Sequence, residues 1–146
     1  MSTHVLNLMS LLGGPAILGT RPDSSGDWHS LIRHGVPVES AQALKKSLDL
    51  SDPVLAELLG VSEKTLSRAR HSGADLDPTA SDRLFRVARV AALAYEVLES
   101  QPAALNWLKR PQVGLGNQVP VSLLTTSAGT EEVERLLLRI EHGVYS

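Results

Sequence analysis

Two short apolar segments separated by almost no linker constrain the fold of this chain more than any other part of its sequence. The first carries Leu55, Leu58 and Leu59 and ends at Gly60, and the second can begin only two residues later, with Ser62 as its cap. Helices joined by so short a turn must cross steeply, and glycine supplies the left-handed backbone conformation that such a turn needs. The spacing therefore predicts a helix-turn-helix.

The residues around the turn have the sizes that this motif requires. Ala56 is small enough to let the helices approach closely, Val61 fills the angle between them, and Leu66 anchors the second helix. The pattern resembles the Xre/Cro group of prokaryotic repressors. This resemblance implies that the second helix, over about residues 63–71, is a recognition helix whose N-terminal part meets operator DNA in the major groove.

Position on that helix separates two sets of candidate DNA contacts. Base edges are expected to meet Glu63, Lys64, Ser67 and Arg68, and phosphates Ser62 and Arg70. Lys64 or Arg68 suits guanine, and Glu63 can accept from cytosine. The net charge of −2 excludes binding by bulk charge, so useful affinity is expected only from two or more copies on a symmetric operator. The alternative is a helical pair that serves packing alone, in a purely structural interaction protein.

Composition and helix-breaking residues divide the chain into three regions of an all-α protein. Apolar residues make up 42% of the chain, aromatic residues only 3%, and Leu and Ala dominate, which favours helices. Residues 1–36 form an N-terminal helical extension, residues 37–100 the helix-turn-helix domain with a long central helix that opens at Asp77, and residues 101–146 a small C-terminal module. In the extension, apolar residues form a dimer contact or cover the core: Val5, Leu8, Met9 and Leu12.

The long helix also carries Arg83, Arg86 and Arg89 at three-residue spacing. This spacing puts the three side chains on one face. A solvated or salt-bridged face, with Asp82 and Glu96 nearby, is favoured over a phosphate or partner contact.

The last helix has one apolar residue that the core does not need. Val133, Leu136, Leu137 and Ile140 recur at helical spacing and form an inner stripe, whereas Leu138 falls among charged residues on the outer face. Upstream, Trp107 is predicted to anchor the core, and Gly114 and Gly116 to form a turn, because no strand or third glycine accompanies them as in a phosphate loop.

The same region carries a second resemblance. The words Ser81-Asp-Arg-Leu84 and Glu141-His-Gly-Val-Tyr-Ser146 resemble those of the Xre/MbcA/ParS antitoxins, and with the helix-turn-helix the resemblance covers residues 37–146. At Asn117, relatives usually show a second glycine. The resemblance implies a C-terminal domain that docks on a RES-type, NAD-consuming toxin and covers its active-site entrance. The implied contacts are Leu138, Glu141, His142, Tyr145 and Ser146, with Lys109 and Arg110 as secondary candidates.

Several other classes of function are not expected. The chain has no Cys, its five His are scattered, and no nucleophile elbow, phosphate loop or paired-carboxylate motif occurs, so we expect no enzyme activity, metal or cofactor. The apolar N-terminus lacks the basic start of a signal peptide and the length of a membrane span, which predicts a cytoplasmic protein. We therefore expect an autorepressing antitoxin that forms a homodimer and a larger assembly with its toxin. The alternative is a free-standing repressor whose C-terminal domain only oligomerises.

Overall fold

The computed structural model describes residues 8–143, and within them it is helical, with no strand. Residues 8–11 are helical and precede eight helices and two 3-10 turns. In chain order these are α1 (Gly14–Leu18), α2 (Ser25–His34), α3 (Val38–Ser47), α4 (Asp52–Leu59), α5 (Glu63–Ser72), α6 (Pro78–Leu98), α7 (Gln101–Leu108), the turns Val113–Leu115 and Pro120–Thr125, and α8 (Ser127–Glu141). The predicted fold class, a helix-turn-helix followed by a small helical module, is confirmed.

Hydroxyl and carboxylate caps start the helices where the sequence predicts them. Ser51 accepts from the Val54 backbone N–H at 3.4 Å, and Asp77 accepts from the Ala80 N–H at 2.7 Å. Each cap satisfies one of the N–H groups that a helix N-terminus leaves without an internal partner. The boundaries of α4 and α6 are thus set by local sequence.

Helix α6 is the centre of the molecule, as its wide apolar face predicts. Leu84, Val87 and Ala88 are fully buried, and α2, α4, α7 and α8 all pack against this helix. Phe85 meets Trp28 of α2 with ring centroids 5.2 Å apart. Leu98 is only partly buried because it lies at the last turn of the helix.

The N-terminal extension covers this core. Leu8, Met9 and Leu12 are 5%, 4% and 1% exposed within the single chain, while Val5 lies outside the described residues. Ser81 joins the end of the extension to the start of α6: its hydroxyl accepts from the Val36 N–H at 2.9 Å and donates to the Leu76 carbonyl at 3.3 Å. These two hydrogen bonds give a physical reason for the Ser in the segment Ser81-Asp-Arg-Leu84.

In the C-terminal module, Trp107 is less buried than predicted, and the backbone conformation accounts for the Asn at position 117. Trp107 packs against the core but stays partly exposed, so it is not the anchor that we predicted; Ala104 and Leu108 on the same helix are the buried residues. The predicted turn at Gly114 and Gly116 is confirmed, with Gly116 at φ 65°. Asn117 follows at φ 63°, and Asn tolerates this left-handed conformation better than most residues.

None of the helices within residues 8–143 is long and apolar enough to cross a membrane.

Candidate functional site

The turn between α4 and α5 is built around Gly60. This residue has φ 70°, and its N–H closes the end of α4. The Arg83 guanidinium of α6 lies where a Cβ on Gly60 would stand, and it donates to the Leu59 carbonyl at 3.3 Å. Gly60 is therefore required twice, for the backbone conformation and for the close approach of Arg83.

Helix α5 has one side that packs against the protein and another that is polar and exposed. Leu66 is 2% exposed and rests on α3 and α4, together with the partly buried Val61 and Ala69. Five of the six predicted DNA contacts are exposed at the start of α5 and along its outer side: Ser62, Glu63, Lys64, Ser67 and Arg68. Within residues 8–143, neither Lys64 nor Arg68 forms an ion pair, so both cations face solvent without a counter-charge.

Two of the predicted phosphate contacts have structural roles. The Ser62 hydroxyl caps α5 by accepting from the Thr65 N–H at 3.0 Å. Arg70 donates to both carboxylate oxygens of Asp52, at 2.7 and 3.2 Å, and the Lys45 ammonium lies 2.9 Å from the same carboxylate. The hydrogen bonds from Arg70 and then Lys45 hold the pKa of Asp52 far below its usual range. Arg70 thus ties α5 to α4 through Asp52.

Helix α8 has a buried apolar stripe and one exposed leucine on its outer face. Val133 and Leu137 are fully buried, and Leu136 and Ile140 are partly buried, which confirms the predicted inner stripe. Leu138 is 44% exposed, as its position among charged residues predicts.

The end of α8 carries the other predicted toxin contacts that the structure describes. Glu141 and His142 are exposed beside Leu138, and Gly143 follows with φ 72°. Tyr145 and Ser146 lie outside the described residues. The secondary candidate Lys109 is engaged elsewhere, because its ammonium donates to the Asp49 carbonyl at 2.6 Å.

The arginine row of α6 connects the two halves of the molecule. Arg83 reaches the end of α4, Arg86 donates to the Leu124 carbonyl at 3.0 Å and to the Ser127 hydroxyl at 3.3 Å, and Arg89 pairs with Glu134 of α8 at 3.1 Å. Burial, followed by the positive charge of Arg83, lowers the pKa of Arg86. A salt-bridged face is predicted, and the contacts named here come from other elements, while the charge of Asp82 also acts on Arg86.

Comparisons with known proteins match both halves separately. Residues 27–89 fit the antitoxin Xre-like helix-turn-helix domain, and residues 93–143 fit the antitoxin Xre/MbcA/ParS C-terminal toxin-binding domain. An Antitoxin Xre of Yersinia enterocolitica is 30% identical over 99% of this chain and 95% of its own length. The chain belongs to the Xre antitoxin family. An Antitoxin Xre of Photorhabdus laumondii is 29% identical over 86% of both chains, and a Prs ADP-ribosylating antitoxin of a Sphingobium strain is 23% identical over 80% of this chain and 79% of its own.

Membership of this family makes the chain a regulatory protein of a toxin–antitoxin system. The toxin-binding domain implies a toxin as partner, and the helix-turn-helix implies DNA. Among the described residues, no group of three or more His, Asp or Glu side chains is placed to hold a metal ion.

One exposed apolar residue of the Xre antitoxin was missed at the level of sequence. Val113 is 87% exposed at the start of the turn before Gly114. A lone Val beside a Pro- and Gly-containing loop gives no periodic signal. Only the folded turn shows that this side chain points away from the core.

Proposed function

We propose that this Xre antitoxin neutralises a RES-type, NAD-consuming toxin by covering its active-site entrance with the C-terminal end of α8. It also represses its own operon by binding operator DNA through α5. The mechanism is occlusion and competition for a surface, with no chemical step. The name of the Sphingobium relative supports the kind of toxin, since ADP-ribosylation is also a reaction that consumes NAD.

The observation that carries the toxin contact is the exposure of Leu138. Burying a large apolar side chain against a partner removes its surface from water, and residues of this kind dominate the energy of protein interfaces. Leu138 is followed within one turn by exposed Glu141 and His142, so apolar and polar groups lie together at the free end of a helix anchored by Val133 and Leu137.

Leu138→Glu, or removal of residues 142–146, should abolish protection of cells that express the toxin, while operator binding stays near normal. Val54→Glu is the matched control, because Val54 is also an exposed apolar residue, at 36%, but lies on α4. Full protection by both the Leu138 variant and the truncated chain would refute occlusion by α8. It would favour the alternative of a free-standing repressor.

DNA binding is inferred mainly from Lys64 and Arg68 of α5, which form no ion pair within residues 8–143. Lys64 and Arg68 are one helical turn apart, so both can enter the same groove. The chain as a whole has a net charge of −2, which gives no general attraction to DNA. Two or more copies on a symmetric operator therefore supply the affinity, in a homodimer or in the larger complex with toxin.

Replacing Lys64 and Arg68 together by Ala should remove specific operator binding and leave toxin neutralisation intact, since each good base contact is worth about 1–3 kcal/mol. Exposed Arg21 and Arg33, replaced by Ala in a control variant, lose the same charge away from α5. A gel-shift affinity equal to that of the unchanged chain would show that α5 is not the reading helix. Native mass measurement of the chain, alone and with toxin, reports the number of copies.

A further inference from the structure

A cleft lies beside Leu138 on the toxin-binding domain. It has a volume of about 390 Å³ and separates the turn at residues 113–116 from the outer side of α8. Its lining consists of Gly114, Leu115, Gly116, Glu132, Arg135 and Arg139. The turn is pressed onto α8 so closely that a Cβ on Gly114 would meet the Leu136 side chain at 2.9 Å. The cleft is therefore bounded by two elements that fit each other closely.

The two arginines of this cleft differ in whether they have a partner within the described residues. Arg135 pairs with Glu131 at 2.9 Å on the solvent side of the helix. Arg139 forms no ion pair or hydrogen bond within residues 8–143, and its buried Nε has no partner. Since Glu131 neutralises Arg135, the charges of the lining that have no partner within residues 8–143 are the Arg139 guanidinium and the Glu132 carboxylate, and a negative charge is favoured only beside Arg139. A polyanion such as DNA would also meet Glu131 and Glu132, so an isolated carboxylate fits better.

Two exposed apolar side chains belong to the two elements that bound the cleft. Val113, 87% exposed, immediately precedes the lining residue Gly114, and Leu138, 44% exposed, immediately precedes Arg139. Among the described residues, the large apolar side chains that are exposed number three, and these are two of them. A charged centre with apolar flanks is the chemistry of a protein interface rather than of a small-molecule pocket.

We propose that this cleft receives an Asp or Glu side chain of the toxin, bound by Arg139, while apolar toxin residues on either side cover Val113 and Leu138. This rests on the proposed function and extends it, because it makes the turn at residues 113–116 part of the toxin interface. The toxin segment that docks here carries an acidic residue between apolar ones. Its carboxylate accepts from the Nη atoms of Arg139, since the Nε is closed off by the protein.

The test is calorimetric titration of the full chain with the toxin encoded beside it, at low and at high salt. Arg139→Gln should weaken binding about tenfold and reduce its salt dependence, because one ion pair is lost. Val113→Ser should weaken binding by a smaller factor at both salt concentrations. Arg33→Gln removes an equal charge from an exposed site on α2 and should leave the affinity unchanged. Arg139→Lys, which keeps the charge without the planar fork, should fall between Gln and the unchanged chain.

Amide hydrogen exchange of the unmodified chain gives a readout that needs no variant. Exchange at residues 114–116 should slow when toxin is bound. Unchanged affinity of the Arg139 and Val113 variants, or unchanged exchange at this turn, would overturn the cleft proposal. If Leu138→Glu still abolished binding in that case, occlusion by α8 would stand without it. A toxin-free chain that dimerises less after Arg139→Gln would assign the cleft to a second copy instead and would likewise overturn the proposal.

Discussion

Helices α5 and α8 offer two different outer surfaces on the same helical frame. The face of α5 that points away from the protein is made of charged and hydroxyl side chains, with Lys64 and Arg68 free of counter-charges among the described residues. The face of α8 carries Leu138, and the turn beside it carries Val113. Polar cations suit phosphates and base edges, whereas exposed apolar residues gain by excluding water from a protein interface.

The inner sides of the two helices differ as well. Helix α5 rests on α3 and α4 through one buried leucine, Leu66, and an ion pair to Asp52. Helix α8 packs against α6 and the turn Pro120–Thr125 with fully buried Val133 and Leu137. The narrow apolar seam leaves most of the surface of α5 free, as the proposed DNA contact requires. The broader seam of α8 anchors the helix on which we propose the toxin contact.

Gly60→Ala should cause the largest loss of stability, and it should impair the α4–α5 part of the molecule most. The left-handed backbone at this position costs Ala about 1–2 kcal/mol, and the added methyl group also displaces the Arg83 guanidinium. We expect unfolding free energy to fall by about 2 kcal/mol or more in urea titrations, with a loss of operator binding that exceeds any loss of toxin binding.

Combining Gly60→Ala with Arg83→Ala tests the physical cause. If the methyl group acts partly by displacing Arg83, the double variant loses less free energy than the sum of the two single changes. Strict additivity would show that only the backbone conformation matters. Equal losses of toxin and operator binding would contradict the separation of the two surfaces.

Local signals explain which parts of this fold were predictable from sequence. The caps Ser51, Ser62 and Asp77 and the turn glycine Gly60 act on neighbouring residues, and all four are where the sequence places them. The stripe on α8 follows from helical period alone. What the sequence does not disclose is which residues meet across the chain: Arg86 contacts Leu124, 38 residues away, and no periodicity encodes that pair.

The same distinction applies to the candidate sites. Outward positions on α5, and Leu138 on α8, follow from helix geometry. Arg70 lies four residues after the buried Leu66, on the same side of α5, but its partner Asp52 lies 18 residues earlier, so the ion pair is visible only after folding. Trp107 shows the reverse: its size suggests a core anchor, but it is only partly buried, whereas Ala104 and Leu108 on the same helix are buried.

Arg86→Lys should have a smaller effect, and it should fall on the α8 half. The guanidinium donates from separate nitrogens to Leu124 and Ser127, and the single nitrogen of a lysine cannot keep both contacts with this geometry. We expect about 1 kcal/mol of lost stability, faster amide exchange near the N-terminus of α8 and weaker toxin binding, with operator affinity unchanged. Arg33→Lys is the control. A drop in operator affinity of the same size would show that α6 transmits the change to both halves.

Asp52→Asn should have the smallest effect and the opposite sign on DNA binding. The Asp52 carboxylate neutralises Lys45 and Arg70, so its removal leaves two cations beside the recognition helix without their counter-charge. Operator affinity should rise roughly two- to five-fold, with a steeper dependence on salt, because the α4–α5 surface gains one positive charge. Glu99→Gln changes the net charge equally at the far end of α6 and should not alter binding.

The pH dependence of stability separates this charge effect from a loss of anchoring. Since the folded-state pKa of Asp52 lies below its ordinary value of about 4, its ion pairs stabilise the fold at neutral pH. That contribution is lost as the pH falls below the ordinary value towards the lowered pKa, and the Asn variant should lack this part of the acid transition. If operator binding weakened in the variant although the salt slope steepened, Asp52 would serve mainly to orient α5. The position of α5 would then depend more on the Arg70–Asp52 ion pair than on the packing of Leu66.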